Sequence, residues 1–452
     1  MPHIVDMNPA PASVGHRQLL RLAVPIVLAN LTQPLLSAVD TAVAGHLPGP
    51  AYLGGVALGA LLLNLIFWGF SFLRMGTTGL AAQAFGSRDA VALRDTLCRA
   101  LALAFSIGVV LLLLREPLVS LGVSWLGGSA QVQALGREYA GIRILAAPLA
   151  LGNYVVLGYL LACQRVRQGL MVQVFINVVN IVAVIVFVRA LDWGVAGIAI
   201  ATALADILGF ALGAWLLWLA RTPGLPPLRL AALVERSALW RLLRLNLDIF
   251  LRTLFLQLAF AWFARVGARL GDTTLAANAL LLNFQTFMAY GLDGFAHAAE
   301  ALVGAYVGAR QREALLHAIR LSLGWALGCA VAFALVYAVA GGAIIDTLTD
   351  QPVLRAAARE FLPWAVISPI VAVWCFQLDG VFIGATRTRE LLSSSLIGLA
   401  VFGAVMPFTL DAWGNHGLWL ALMAFLATRG VVLGVLLPRI WRGMPSAGLQ
   451  RP

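Results

Sequence analysis

Long apolar runs alternate with short stretches rich in glycine, proline and arginine along the whole chain. A membrane-spanning helix needs about 20 mostly apolar residues, and twelve runs reach that length. They are continuously apolar rather than alternating, which favours helices over the strands of a barrel. The predicted helices lie near residues 18–46, 55–84, 95–114, 137–163, 168–189, 194–219, 239–267, 276–305, 314–343, 356–385, 391–410 and 416–438.

Composition excludes the main soluble classes. Of 452 residues, 61% are hydrophobic and 11% are charged, whereas soluble domains have roughly 45–50% apolar and about 25% charged residues. Disorder requires few apolar residues. A disulfide scaffold requires many cysteines, and the chain has 4, each alone in an apolar stretch. The sequence therefore predicts an all-α integral membrane protein.

Arginine supplies all the positive side-chain charge, and the formal net charge is +11. Arginines concentrate in alternate loops, and cytoplasmic loops collect positive charge, so we expect both termini to be cytoplasmic and expect no nucleic-acid partner. The first seventeen residues have no apolar run, which argues against a cleavable signal peptide. The arginines assigned to the cytoplasmic side are Arg17, Arg21, Arg88, Arg94, Arg165, Arg167, those between Arg221 and Arg244, Arg310, Arg312, Arg387, Arg389, Arg439 and Arg442.

The two halves of the sequence repeat. Residues 79–88 match residues 301–310 at an offset of 222, and the same offset carries Glu138-Tyr139 onto Glu360-Phe361. Six helices per repeat predict two six-helix bundles related by a pseudo-two-fold axis along the membrane normal, with a site at their interface. The predicted segments are an N-terminal tail 1–17, a first lobe 18–220, a linker 221–238, a second lobe 239–440 and a C-terminal tail 441–452.

Polar residues inside the predicted spans of the first lobe mark a candidate site, because a charge within the bilayer costs about 2.5–3.5 kcal/mol. Asp40 lies about six residues before the outer end of the first helix, and Asn177, Asn180 and Thr202 fall at a similar depth. Such a group suits a proton, a hydrated cation or Na⁺. A structural hydrogen-bond network is the alternative. Pro25, earlier on the first helix, favours a bend there.

The second lobe holds a polar stripe of Asp293, His297 and Glu300, spaced i, i+4 and i+7, together with Asp379 on the tenth predicted helix. Arg252 is a candidate partner for one of these acids, so each acid has a functional and a structural interpretation of about equal weight. The sequence contains no metalloprotease, serine hydrolase or ATP-binding loop motif. We therefore expect no enzyme activity and no cofactor, with transport driven by an H⁺ gradient or by Na⁺.

Three stretches, residues 25–47, 67–79 and 291–300, resemble the multidrug and toxic compound extrusion (MATE) transporters, and the last two resemble the DNA-damage-inducible F branch of that family. The resemblance spans residues 17 to 440. It implies two facing six-helix bundles in a bacterial cytoplasmic membrane. It also implies export of organic cations or amphipathic toxins by alternating access, coupled to inward H⁺ or Na⁺.

The resemblance also assigns residues. Asp40 matches the family's first-helix aspartate and Pro25 its bending proline, while Gln33, Asn180 and Thr202 match polar residues around that aspartate. Relatives often carry a second aspartate one turn beyond Asn180, where this chain has Val184. The change removes a hard oxygen ligand, so we expect H⁺ rather than Na⁺ coupling. We also expect a monomer surrounded by lipid. The alternative is a lipid-linked saccharide flippase of the wider superfamily, which would need a basic cavity.

Overall fold

A computed structural model describes residues 14–220, 225–227, 233, 235–442 and 444, and gives only the backbone for residues 33–38. Within these ranges the chain forms helices and no strand. The α-helices are α1 (His16–Gly45), α2 (Pro50–Gly69), α3 (Phe72–Gly86), α4 (Ala90–Leu113), α5 (Arg115–Leu126), α6 (Ala130–Arg143), α7 (Ala147–Ala162), α8 (Val166–Ile185), α9 (Gly194–Leu219), α10 (Arg236–Arg269), α11 (Asp272–Gly308), α12 (Arg312–Leu348), α13 (Pro352–Gly384), α14 (Thr388–Trp413) and α15 (Asn415–Leu436).

These helices make the twelve predicted spans. Helices α2 and α3 together form the second span, and α6 and α7 are joined by the 3₁₀ turn Ile144–Ala146 into the fourth. Among the described residues, ten spans are long and apolar enough to cross a membrane. Helices α1 and α11, which carry Asp40 and Asp293, complete the twelve. The prediction of an all-α membrane protein with twelve spans is confirmed.

One helix was not predicted. Helix α5 has 12 residues and is too short to span a bilayer. Its first turn contains Arg115, Glu116 and Pro117, which interrupt the apolar pattern that the prediction followed.

The spans also extend beyond the predicted apolar runs. The fourth, for example, begins at Ala130 rather than near residue 137, because its first turns carry polar residues.

The described chain divides into two compact units, the first at Leu28–Leu243 and the second at residues 14–27 and from Arg244 onward. The sequence predicted instead that residues 18–220 form one lobe. Most of the tails predicted at 1–17 and 441–452, and much of the linker predicted at 221–238, lie outside the described residues.

Specific contacts explain why the first half of α1 belongs to the second unit. Gly294 of α11 has no side chain, and Val27 and the carbonyl of Ala23 lie against it. On α12, the ring of His317 lies 3.0 Å from the Val14 carbonyl oxygen, and the Trp325 indole donates a hydrogen bond of 3.0 Å to His16. Helix α1 therefore contributes one half to each unit.

The internal repeat is visible in the backbone turns. Arg88 and Arg310 both have left-handed backbone angles, with φ of 60° and 55°, and so do Gln164 and Thr386, with φ of 57° and 54°. In each case the next residue donates a hydrogen bond back across the helix end, as in a Schellman turn. Glycine usually takes this conformation. Here residues other than glycine adopt the left-handed conformation at two pairs of positions that are 222 residues apart, which supports the repeat.

Close helix packing repeats at the same offset. Gly158 of α7 lies against the backbone of Arg74 on α3, and Gly380 of α13 lies against the backbone of Ala296 on α11. A Cβ atom at either glycine would collide with a carbonyl oxygen. Small residues that let helix backbones approach are typical of packing within membranes. Each unit therefore uses the same contact between its second and fourth spans.

We expect Gly380→Ala to destabilise the protein by about 1–3 kcal/mol, because the added methyl group must displace the backbone of Ala296. Gly324→Ala on α12 is the matched control, since nothing lies near its added Cβ. Alanine is the better helix former there, by roughly 0.5–1 kcal/mol. Thermal unfolding in detergent should show a lower Tm for Gly380→Ala alone. Equal Tm values for the two variants would contradict the packing argument.

Candidate functional site

Asp40 lies on the second half of α1, within the first unit, and is half-buried. Its Oδ1 atom is fully buried and accepts no hydrogen bond within the described part of the chain. The charge that acts on this carboxyl group comes from Arg143. Asp40 therefore has an electrostatic partner and retains a buried oxygen that is available to a proton or a cation.

Arg143 ends helix α6, one turn after Tyr139, and the two side chains are hydrogen-bonded. One terminal nitrogen of Arg143 lies 4.0 Å from Oδ2 of Asp206 on α9. Its guanidinium group also stands 5.9 Å from the centre of the Phe67 ring, within the range of a cation–π contact. Because its charge acts on both Asp40 and Asp206, Arg143 is a cation shared by two acids.

The amide and hydroxyl groups predicted for this site are partly brought together. Asn180 donates a hydrogen bond of 2.8 Å to the Thr202 hydroxyl, which in turn donates to the carbonyl of Ile198. Thr202 also contacts the Tyr139 hydroxyl, which connects this pair to Arg143. Asn180 is fully buried and Thr202 nearly so. The first unit thus contains one polar network that links α6, α8 and α9.

Three other predicted residues do not join this network. Asn177 donates a hydrogen bond of 2.6 Å to Thr32 on α1, which is two helical turns before Asp40. Pro25 lies in the half of α1 that belongs to the second unit, and α1 is one continuous helix through that position. The side chain of Gln33 lies outside the described residues.

In the second unit, Asp379 is bound by two arginines. Its Oδ2 atom accepts hydrogen bonds from Arg252 of α10 and from Arg429 of α15, the latter at 2.6 Å. The three residues are 6%, 9% and 1% exposed, respectively. Asp293 is close enough for its charge to act on Arg252. The prediction that Arg252 pairs with one of the acids holds for Asp379, and this triad gives that acid a structural partner on either side.

The rest of the predicted stripe lies along α11. Glu300 is fully buried and His297 is half-buried. The backbone carbonyl of Glu300 lies against Gly384 of α13. One turn from Arg252 on α10, Asp248 accepts a hydrogen bond of 2.8 Å from Thr388. Whether His297 and Glu300 carry function stays a prediction.

Comparison with known proteins identifies the family. The family model MatE matches residues 25–186 and 249–409, most of the chain and both repeats. The chain belongs to the MatE family. DNA damage-inducible protein F of Escherichia coli K12 is 43% identical over 430 residues, covering 94% of this chain and 93% of that protein. "Probable multidrug resistance protein NorM" of Geobacillus kaustophilus is 25% identical over 96% of this chain and 97% of its own length.

Solved structures of the same fold agree. A MOP superfamily transporter from Pyrococcus furiosus superimposes with a TM-score of 0.86 at 19% identity, over 96% of this chain and 98% of its own. An outward-facing multidrug resistance MATE transporter gives 0.82 at 20%, over 94% and 96%. The twelve-span MATE fold predicted from the sequence is therefore confirmed. This MatE chain is a multi-pass membrane protein of a multidrug efflux transporter family.

Arg143, which organises the first unit of this MatE protein, is not among the site residues predicted from the sequence. Arg143 fell inside the predicted run 137–163 and was counted as part of an apolar span. A charge at that depth is itself a signal, and Tyr139 one turn earlier shares its helix face. Asp206 lies far from Arg143 along the chain, and no spacing in the sequence pairs the two residues.

Proposed function

We propose that this chain is a secondary active multidrug efflux antiporter, which exports organic cations or amphipathic toxins in exchange for inward H⁺ by alternating access. The observation that carries the proposal is the sharing of Arg143 by Asp40 and Asp206. Two ionised acids and one arginine leave a single unbalanced negative charge. Either a proton or a substrate cation can neutralise that charge, and competition for it couples the two fluxes.

The coupling follows from charge balance in a low-dielectric site, where an uncompensated charge is costly. When a proton binds Asp40, the remaining pair of Arg143 and Asp206 is neutral and a cationic substrate loses its counter-ion. When the proton leaves, the site again attracts a cation. A ligand can shift such an equilibrium only through this difference in affinity. Because one H⁺ exchanges for one singly charged cation, no net charge crosses the membrane, and the pH gradient supplies the driving force.

Several finer expectations accompany this proposal. The relatives and the arginine distribution support a bacterial cytoplasmic membrane with both termini inside, and a monomer surrounded by lipid is sufficient for the mechanism. The alternative of a lipid-linked saccharide flippase gains no support from the relatives described above. A pyrophosphate group would also meet an excess of acid over arginine around Asp40 and Asp206.

The test uses purified protein in liposomes loaded with a fluorescent organic cation. An inward H⁺ gradient and an inward Na⁺ gradient are imposed separately on the same preparation. We expect efflux of the dye with the H⁺ gradient alone, at a rate well above that of protein-free liposomes. Efflux with Na⁺ alone would overturn proton coupling. Absence of efflux under both gradients, with a folded protein, would overturn the assignment as a drug antiporter.

A further inference from the structure

The first unit contains buried oxygens that would suit a metal cation as well as a proton. In the described part of the first unit, the buried side-chain oxygens that accept no hydrogen bond are Oδ1 of Asp40, Asn153 and Asn180. The amide nitrogens of the two asparagines donate hydrogen bonds. That of Asn153 donates to the Asp206 backbone carbonyl at 2.9 Å, and that of Asn180 donates to the Thr202 hydroxyl at 2.8 Å. Hard cations prefer oxygen ligands of this kind.

Charge decides which cation such oxygens accept. A proton forms a covalent bond with one carboxylate oxygen and needs a single unbalanced negative charge. A sodium ion must replace its water shell with several oxygens at once, and each nearby negative charge adds to what it gains by binding. With Arg143 present the two acids supply one net negative charge, and without it they would supply two.

Arg143 is also positioned as a fixed cation. It is held by Tyr139 on its own helix and by Asp206 on α9, with the Phe67 ring on one side. The charge of Arg74 acts on Tyr154 and is not among the charges that act on Asp40 or Asp206. The charge acting on Asp40 and on Asp206 is that of Arg143. A guanidinium group is permanently charged, so it repels a second cation in every state of the acids.

We propose that Arg143 is the residue that makes the first unit select H⁺ over Na⁺, with its guanidinium group taking the place that a bound sodium ion would otherwise fill beside Asp40 and Asp206. This inference rests on the proposed proton-coupled export and names the residue that sets its ion specificity. Arg143 is a specificity residue here, since it acts on the ion through its charge rather than by binding the ion.

The test compares Arg143→Gln with wild type in the dye-loaded liposomes, under an inward Na⁺ gradient at equal pH on both sides. We expect Na⁺-driven efflux by Arg143→Gln to exceed that of wild type at least tenfold, because the acids now supply two negative charges. Arg143→Lys keeps the charge and should stay insensitive to Na⁺. Arg137→Gln is the matched control, since Arg137 lies on the same helix with exposed contacts to Ser124 and Gln133.

The double variant Arg143→Gln/Asp206→Asn tests the charge count directly. It restores one net negative charge, and we expect it to lose the Na⁺ response that Arg143→Gln gains. A folded Arg143→Gln protein with no Na⁺ response would overturn the inference, and so would a double variant as responsive to Na⁺ as the single one. Calorimetric titration of Na⁺ into the purified variants gives a readout independent of transport.

Failure of this inference and failure of the proposed function can be distinguished. If wild-type liposomes release dye with the H⁺ gradient and Arg143→Gln gains no Na⁺ binding, only the role of Arg143 is lost. If wild type releases no dye under either gradient, the antiport proposal itself fails, whereas the calorimetric comparison still decides whether Arg143 excludes Na⁺.

Discussion

Replacing Asp40 with asparagine is expected to reduce dye efflux driven by the H⁺ gradient at least tenfold, to the leak of protein-free liposomes. Asparagine preserves the size of the side chain and its ability to accept a hydrogen bond, but it cannot gain or lose a proton at neutral pH. The site would then remain in the neutral state of Arg143 and Asp206, and substrate binding would no longer depend on proton binding. By linkage, the proton gradient could not drive the substrate.

Two further measurements separate lost coupling from lost folding. Exchange of labelled dye with equal pH on both sides should fall in Asp40→Asn as well, because the neutral site offers a cation no counter-ion, whereas the Tm in detergent should stay that of wild type. Asp346→Asn is the control, since Asp346 forms an exposed ion pair of 2.6 Å with Arg359 at the end of α12, and such pairs contribute about 0–1 kcal/mol. Wild-type rates of H⁺-driven efflux in Asp40→Asn would contradict the proposed role.

Replacing Asp379 with asparagine is expected to destabilise the second unit by about 3–5 kcal/mol, because it leaves the buried charges of Arg252 and Arg429 without their shared partner. The two guanidinium groups would then face each other in a region that is at least nine-tenths buried. The measurement is thermal unfolding in detergent at a fixed scan rate, since unfolding of membrane proteins of this size is commonly governed by rates.

Neutralising the whole triad should cost much less. In Asp379→Leu/Arg252→Leu/Arg429→Met none of the three triad charges is left without its partner, and hydrophobic replacement of such groups is often neutral or stabilising. The exposed pair of Arg359 with Asp346 provides the control, and Arg359→Gln should change the Tm little. A triple variant as unstable as Asp379→Asn would contradict the charge argument. Retained H⁺-driven efflux in the triple variant would assign Asp379 to structure rather than to ion coupling.

The spans and the repeat could be predicted because both depend on local sequence. Apolar length and its punctuation by glycine and arginine located all twelve spans, and an offset of 222 predicted turns that the backbone reproduces at Arg88 and Arg310. The pairing of charges could not be predicted in the same way. Asp379 and Arg252 are 127 residues apart, and the sequence offered several acids on neighbouring helices as equal candidates.

Two other features could not be predicted from the sequence, for physical reasons. Arg143 did not stand out in the sequence because the residues around it are apolar, and one charge changes the mean hydropathy of a span very little. The division of α1 between two units depends on close packing of Val27 against Gly294, a contact between distant segments that leaves no local periodicity. The depth of Asp40 within its helix predicted a candidate site for a proton or a cation. Its partner, Arg143, could be identified only from the structure.

The paired turns at non-glycine residues are what tandem duplication of an ancestral half-length gene leaves behind, since the backbone path outlasts the side chains that first specified it. The charged residues of the two candidate sites do not repeat in the same way. At the offset that superimposes Gly158 on Gly380, Asp379 corresponds to Leu157 and Arg143 to Ala365. The two halves therefore share a backbone path but carry different buried charges. A chimera built from two first halves would keep the repeated turns and helix contacts. It would lack the acid that two arginines bind in the second half.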